Sequence, residues 1–467
     1  MAEGDEHQHR RFAWADPRRL APRARDDSGG DGGRADATDA GPQDGDGPRP
    51  SSRRGLVRWI TVGLSVGVLL TAAAGAFEYF RLNGNLRDLP LFGGIVGDAG
   101  RERPDAFGRT PINVLVIGSD TRADSADCRL GGDCGPGQNA DVDMVLHLSA
   151  DRSHATVLSI PRDTVTDLPA CRRPKGGVAP AHRGPVNSTL QFGPGCTVAA
   201  VHTLTGIPID HFVMADFAGV VRLSDAVGGV PVCVDRNVYD PYSHLKLAKG
   251  SHALKGEAAL EFLRSRHSFG DGSDLGRTDA QHLFLGALAR RLRGSGSLTD
   301  PAGMLTLADA ATKALTVDPG LASVTRLAGL ADDVRKVPSA RFGFATMPSI
   351  PDPGDRNRLI PGPGADHVFS MVAADVPPHA TDAARADGKS APGAAPRTPA
   401  PATGGPGPDE AFEAPARIAT PTAPGVRTAA GTACAKVATG RVVRVGGVAM
   451  TPSAAFAATP RIPVSAP

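Results

Sequence analysis

The chain has 467 residues, and Lys+Arg 51 against Asp+Glu 49 leaves a formal charge of only +2. So even a balance gives no reason to expect nucleic acid as a partner, and the length allows one large domain or two ordinary ones. Gly 57 and Pro 41 are together high and concentrate at the two ends, which leaves the middle stretch to bury a core.

Residues 1–55 are polar, rich in Gly, Asp, Arg and Pro, and without apolar periodicity. Such a segment cannot offset its ordering entropy by burial, so disorder is expected. Trp59 to Phe77, WITVGLSVGVLLTAAAGAF, carries no ionisable side chain. About 19 residues at roughly 1.5 Å each nearly match a hydrocarbon core of about 30 Å, and residues 56–78 are predicted to form a transmembrane helix. Trp59 marks one interface, Tyr79 and Phe80 the other. Arg53, Arg54 and Arg58 precede the span, whereas Glu78, Arg81, Arg87 and Asp88 nearly cancel beyond it. The positive-inside rule puts the N-terminus in the cytoplasm and the rest outside the cell membrane. The small residues AAAGA would also suit a cleaved signal peptide, but the long polar segment upstream argues for an uncleaved anchor.

Residues 79–108 read as a juxtamembrane linker, and 109–375 as the globular part. NVLVIG (Asn113 to Gly118), MVLHLS (Met144 to Ser149) and ATVLSI (Ala155 to Ile160) have the apolar runs of short buried strands. HFVMA (His211 to Ala215) and VPVCV (Val230 to Val234) extend the set, and Phe217 to Val227 between them is helical, stopping at Gly228-Gly229. A helix-like stretch at Lys255 to His267 precedes the clearest helix, Arg277 to Leu292, whose Ala280, Leu283, Phe284, Ala287, Leu288 and Leu292 form one stripe. More helices follow between 300 and 335. Strands alternating with helices imply an α/β layered domain. Residues 376–467 turn to Pro, Ala, Thr and Gly and read as a low-complexity tail, with RVVRVGGVAM near Cys434 able to form a strand or two.

The six cysteines are compatible with an oxidising compartment. Cys128 and Cys134 flank the Gly-rich turn RLGGD, and Cys171 and Cys196 bracket a Pro/Gly-rich loop, so two bridges are expected; Cys233 and Cys434 have no partner assigned by pattern. No C-x-x-C occurs and the histidines lack zinc spacing, which argues against a structural metal.

Acids and arginines gather where the predicted elements end. Asp120 and Arg122 follow the first strand in GSDTR, Asp141 and Asp143 stand before the strand starting at Met144, and Arg162 and Asp163 follow the third in SIPRD. Asp143 reads as a surface or turn residue. Arg264, Arg266 and His267 end one helix in RSRH; Asp274 and Arg277 open the next. In an α/β sheet the strand ends are where ligands collect. Two aspartates could hold Mg²⁺, which prefers oxygen ligands, and several arginines could grip a pyrophosphate bidentately. No G-x-S-x-G, Walker A or G-x-G-x-x-G supports a serine hydrolase, NTPase or dinucleotide enzyme. Taken singly, each residue has a plainer reading as a turn, cap or helix-end group.

NVLVIGSDTR, ADVDMVLHLS, TVLSIPRDT, LTGIPIDHFVMADFAGVVRLSDAVGGVPV, GSHALKGEAALEFLRSRH and DLGRTDAQHLFLGAL, in this order, resemble the LytR-CpsA-Psr family. The resemblance is dense from about residue 110 to 290 and looser to about 375. It implies a single α-β-α domain with a deep apolar lipid pocket. The implied activity is transfer of a phosphosugar from a polyprenyl-pyrophosphate-linked glycopolymer to peptidoglycan, usually the 6-hydroxyl of N-acetylmuramic acid. By motif, Asp120 and Asp141 would bind Mg²⁺, and Arg122, Arg162, Arg264, Arg266 and Arg277 match pyrophosphate-contacting or active-site arginines. Asp274 and Gln281 match further polar positions of the site. The sequence departs from the family at Asn139-Ala140-Asp141-Val142, where Arg-Ser-Asp-Thr is usual, at Val186 before Asn187, where Lys is usual, and at Ala280, where Arg is frequent. The lost basic groups keep two rivals open: a lipid-pyrophosphate hydrolase, and a non-catalytic envelope protein that binds polyprenyl lipid or regulates the envelope.

Overall fold

The structure, a computed structural model, describes residues 53–378 and 427–466, apart from 123–124, 132–133, 136, 175 and 295–299. The expected disordered segment 1–55 lies almost wholly outside the described residues. Helix α1 (Arg53–Asn85) contains a stretch, Leu56–Asn85, long and apolar enough to cross a membrane.

The elements that follow are β1 (Arg87–Asp88), β2 (Ile112–Ser119), α2 (Ser125–Gly131), β3 (Ala140–Leu148), β4 (Ala155–Ile160), α3 (Pro194–Thr205), β5 (His211–Ala215), α4 (Phe217–Ala226), β6 (Val230–Val234), β7 (Gly250–Leu254), α5 (Glu257–Arg264), α6 (Asp274–Gly294), α7 (Pro301–Ala314), β8 (Leu315–Val317), α8 (Val324–Lys336), β9 (Phe342–Thr346) and α9 (Ala365–Ala373). Beyond the undescribed stretch come β10 (Arg427–Thr428), β11 (Val443–Val445), β12 (Val448–Met450) and α10 (Pro452–Ala458).

One mixed eight-stranded sheet runs in the order β1-β8-β5-β2-β3-β4-β9-β10. β2 and β3 are antiparallel, as are β3 and β4, while β5 joins β2 in parallel. The central strands are buried on both faces, which is why their sequences are nearly continuous apolar runs instead of alternating ones. On one face Leu115, Ile117, Val145, Leu158 and Ile160 pack with Val198 and Val201 of α3 and Phe369 of α9. On the other, Met144, Leu148, Val157 and Phe344 meet Leu285 of α6 and Val334 of α8. Helices on both faces of a sheet give the expected α-β-α layering.

Three segments differ from the sequence reading. The supposed linker is packed on the domain: β1 pairs with β8, and Arg81 and Asn85 at the end of α1 bond Asp309 of α7. The tail is not uniformly low in structure. β10 closes the sheet edge beside β9, RVVRVGGVAM, able to form a strand or two, makes the antiparallel pair β11 and β12, and Cys434 is bridged to Cys233. Composition averaged over 376–467 hid this segment, whose burial comes from contacts with β6 more than two hundred residues earlier. The other two bridges, Cys128–Cys134 and Cys171–Cys196, are those expected. The third difference is that β3 starts at Ala140, so Asp141 and Asp143 lie inside the strand and not before it. Asp143 is no surface residue: it is 1 % exposed, flanked across the ladder by Ile117 and Ile160, and neither carboxyl oxygen has a hydrogen-bond partner. Burial pushes its carboxyl up to about 8.

Two predictions follow from these contacts. A buried polar group without a partner costs about 1–3 kcal/mol, so Asp143→Val raises the unfolding free energy by about that amount, read from urea titrations at pH 8. Cys434→Ser opens a closure between residues 201 apart in sequence and lowers stability by about 2–5 kcal/mol, with amide exchange rising first in 427–466.

Candidate active site

The antiparallel turn from β2 into β3 brings Asp120, after the C-terminal end of β2, beside the N-terminal end of β3. Asp120 N–H donates to the Asn139 carbonyl at 3.1 Å, and its carboxylate accepts the Asn139 N–H at 2.5 Å and the Asn139 side-chain amide at 3.3 Å. Between them Ser125–Gly131 forms α2, and its Cys128 is bridged to Cys134. Arg122 lies across Gly131 of α2, where a Cβ would come within 2.9 Å of the guanidinium Nε. Arg264, at the end of α5, donates to the Leu130 carbonyl at 2.7 Å and covers the Phe217 ring at 4.6 Å. Burial, then the neighbouring Arg122 charge, lowers the Arg264 guanidinium from its ordinary value, with Asp120 opposing.

The remaining groups form a chain of alternating charge that a backbone carbonyl closes into a ring. Arg162, just after β4, donates to the Asp141 carboxylate and lies 3.6 Å from Asp163. Asp163 also faces Arg266 at 3.4 Å, and Arg266 faces Asp274 at 3.5 Å. Asp274 opens α6 and pairs with Arg277 one turn on at 2.7 Å, and Arg277 returns to the Asp141 carbonyl at 3.3 Å. The α6 N-terminus can approach this closely because Gly276 sits against the Phe269 carbonyl, where any Cβ would collide. Arg277 is 4 % exposed, and burial lowers its guanidinium to about 10 although Asp274 opposes the shift. Gln281 holds α6 to α5 through the Leu263 carbonyl at 3.1 Å.

Behind the ring, a cavity of about 310 Å³ separates the sheet from α4, α5 and α6. Its wall is largely Val116, Val142, Met144, Val213, Val220, Leu223, Leu260, Leu263, Phe284, Leu285 and Leu288. Asp141, Arg264, Arg277 and Gln281 belong to the wall as well, so the charged cluster adjoins the apolar space. A ligand that fits both has an anionic head and a hydrocarbon body. Asp120 and Asp141 supply the hard oxygen donors that could hold Mg²⁺; both carboxylates accept from N–H groups, Asp120 from Asn139 and Asp141 from Arg162.

Every sequence-predicted site residue is therefore drawn to one end of the central strands. Sequence reasoning passed over the hub. Asp163 joins Arg162, Arg266 and Arg358, the last at 3.0 Å, with the Asn187 amide at 3.4 Å. Asp163 was visible after a strand, but nothing in RNRLI marked Arg358. The departures also have places: Val186 is fully buried in the core beside Leu190, Ala280 is on the buried face of α6, Val142 lines the cavity and Asn139 clamps Asp120. Removing the Asp163 carboxylate leaves three guanidinium groups facing one another. Asp163→Ala is expected to cost about 2–4 kcal/mol of stability in urea titrations, and millimolar pyrophosphate should recover part of it by substituting for the lost charge. Equal losses with and without pyrophosphate would count against an anion site.

The profile of the LytR_cpsA_psr family matches residues 99–359. Among curated proteins, the chain is 31% identical over 334 residues to the cell wall biosynthesis protein LcpA of Corynebacterium glutamicum, covering 65% of this chain and 62% of that protein. It is 27% identical over 252 residues to the polyisoprenyl-teichoic acid–peptidoglycan teichoic acid transferase TagU of Halalkalibacterium halodurans, covering 53% of this chain and 76% of the other. The chain thus spans less than two thirds of LcpA. Among solved structures, a LytR-Csp2A-Psr enzyme from Actinomyces oris aligns with TM-score 0.46 at 22% identity, covering 62% of this chain and 95% of that one. TagT bound to LIIa-WTA aligns with TM-score 0.43 at 19% identity over 62% and 99%. With more than half of its length matched by the family profile, the chain belongs to the LytR-CpsA-Psr family.

Proposed function

We propose that this protein transfers a glycopolymer phosphosugar from a polyprenyl-pyrophosphate carrier to peptidoglycan, at the 6-hydroxyl of N-acetylmuramic acid. The observation that carries this reading is the junction of an arginine-rich ring with an apolar cavity, since a lipid pyrophosphate is the amphiphile that needs both. The names of the relatives, among them teichoic acid–peptidoglycan transferases, agree with it.

In this mechanism the hydrocarbon chain enters between the sheet and α4 to α6, and its burial contributes roughly 25 cal/mol per Å² of apolar surface. Arg122, Arg162, Arg264, Arg266 and Arg277 bind the pyrophosphate and disperse its charge as the transferred phosphorus becomes five-coordinate. Asp120 and Asp141 would hold Mg²⁺, which when bound supplies neutralisation of the pyrophosphate oxygens. The acceptor oxygen forms a bond to the sugar-bearing phosphorus as the bond to the bridging oxygen breaks, in line. Polyprenyl phosphate leaves, and the hydroxyl proton passes to a nearby carboxylate or to the leaving phosphate. The lipid pyrophosphate supplies the driving force, so no ATP is required. By the positive-inside rule the arginines around the start of this helix, Arg53, Arg54 and Arg58, favour a cytoplasmic N-terminus and an outside domain, a compartment that would suit three disulfides.

The test uses the full chain in detergent with a polyprenyl-pyrophosphate-linked sugar, Mg²⁺ and peptidoglycan fragments, following release of polyprenyl phosphate and product phosphodiester. Asp120→Ala, Asp141→Ala and Arg162→Ala should each lower turnover by about 10²-fold or more. Val213→Trp, which fills the cavity, should weaken long-chain donors more than short ones. Release with water but never with the sugar acceptor would instead establish a hydrolase, and tight lipid binding without turnover a non-catalytic envelope protein.

A further inference from the structure

At the opposite end of β3 from Asp141, a second polar cluster joins three distant parts of the chain. His147 is the last residue but one of β3, His154 stands just before β4, and Asp375 follows α9. Six residues of strand separate His147 from Asp141, roughly 20 Å, so this cluster is outside the arginine ring. His147 Nε2 and His154 Nε2 lie 3.0 and 3.5 Å from the same Asp375 oxygen, Oδ1. One ligand atom from each residue falls within 4.8 Å of the other two.

We infer that His147, His154 and Asp375 form a binding site for a divalent d-block cation, best suited to Zn²⁺. Bonds of about 2.0–2.1 Å at tetrahedral angles place ligand atoms about 3.3 Å apart, and the two nitrogen–oxygen separations bracket that value. The orientation of the rings supports it independently. Asn113 uses its side-chain N–H groups on Glu102 and on the Pro208 carbonyl, which turns its amide oxygen toward His147 Nδ1 at 2.7 Å. His147 Nδ1 must therefore carry the proton. This turns Nε2, the other ring nitrogen, toward Asp375 Oδ1. Donation of the other ring N–H to a fixed oxygen is the arrangement that orients metal-bound histidines. The second Asp375 oxygen accepts the Ala150 N–H at 3.0 Å, leaving Oδ1 for the ligand. Asp375 is held at φ 58°, a left-handed conformation uncommon for a side-chain-bearing residue. Asp210 accepts the Asn113 N–H at 2.8 Å and Glu102 accepts from its side-chain amide, which fixes Asn113 behind the histidines. Two histidines and one carboxylate leave a fourth position for water or an outside ligand. The histidine spacing in the sequence argued against zinc because the third ligand comes from over two hundred residues away.

Full-length protein without a histidine tag, in detergent, is stripped with EDTA and titrated with Zn²⁺ by calorimetry, with Co²⁺ absorption as a probe of tetrahedral coordination. One Zn²⁺ per chain is expected, and Zn²⁺ a hundredfold above Kd should raise Tm by about 5 °C. His154→Ala and Asp375→Asn should each weaken binding at least tenfold, while Asp120→Asn leaves it unchanged. Absence of Zn²⁺ binding, or binding that is lost with Asp120→Asn yet persists in His154→Ala and Asp375→Asn, overturns the inference. A doubly protonated His147 at pH 7.5 in nitrogen-15 spectra recorded with Zn²⁺ present would likewise replace it with a plain ion pair between His147 and Asp375.

Discussion

The architecture depends on keeping more arginines than carboxylates at the edge of a low-dielectric space. Arg162, Arg266 and Arg277 are threaded with Asp141, Asp163 and Asp274 into a ring, and Arg358 adds a further charge to its hub. Charges this close are costly to desolvate singly and tolerable only when each has a partner. Pairing makes the site foldable without a ligand. The surplus of positive charge, carried further by Arg122 and Arg264 nearby, is what an anionic head could satisfy.

The fold supplies this arrangement by simple means. β2 and β4 deliver Asp120 and Arg162 from their C-terminal ends, and the antiparallel β3 delivers Asp141 from its N-terminal end, so all three reach one edge. α5 and α6 present Arg264 and Arg277 at a helix C-terminus and N-terminus, with tertiary contacts overriding the macrodipole's preference at Arg277. The same two helices, with α4, stand off the sheet far enough to leave the apolar cavity. The returning C-terminal segment then braces this layer: Arg290 of α6 donates to the Gly431 carbonyl at 2.7 Å, and the Cys233–Cys434 bridge ties that segment to β6.

Much of this was legible in the sequence because it is local. Apolar runs such as NVLVIG and ATVLSI announce doubly buried strands, and the motif residues flank them. The stripe along Arg277 to Leu292 gave the longest helix of the domain. What escaped were long-range facts. FGFAT at 342–346 becomes a sheet strand only because β4 lies beside it, and Arg358 joins Asp163 across 195 residues. Asp143 deceived for the opposite reason: an aspartate among apolar residues normally marks a strand boundary, and here it is buried within the strand. Low-complexity composition masked 427–466, whose order comes from partners rather than from its own periodicity.

The central claim is that one ligand occupies both the arginine ring and the apolar cavity. It is tested most directly by calorimetric titration of the full chain with inorganic pyrophosphate, with a short prenyl pyrophosphate and with the matching prenyl alcohol, each with and without Mg²⁺. The account predicts that the prenyl pyrophosphate binds at least a hundredfold more tightly than either fragment, and more tightly with Mg²⁺ than without. Affinity for the prenyl pyrophosphate no greater than for pyrophosphate alone would contradict it, because ring and cavity would then not serve a single ligand.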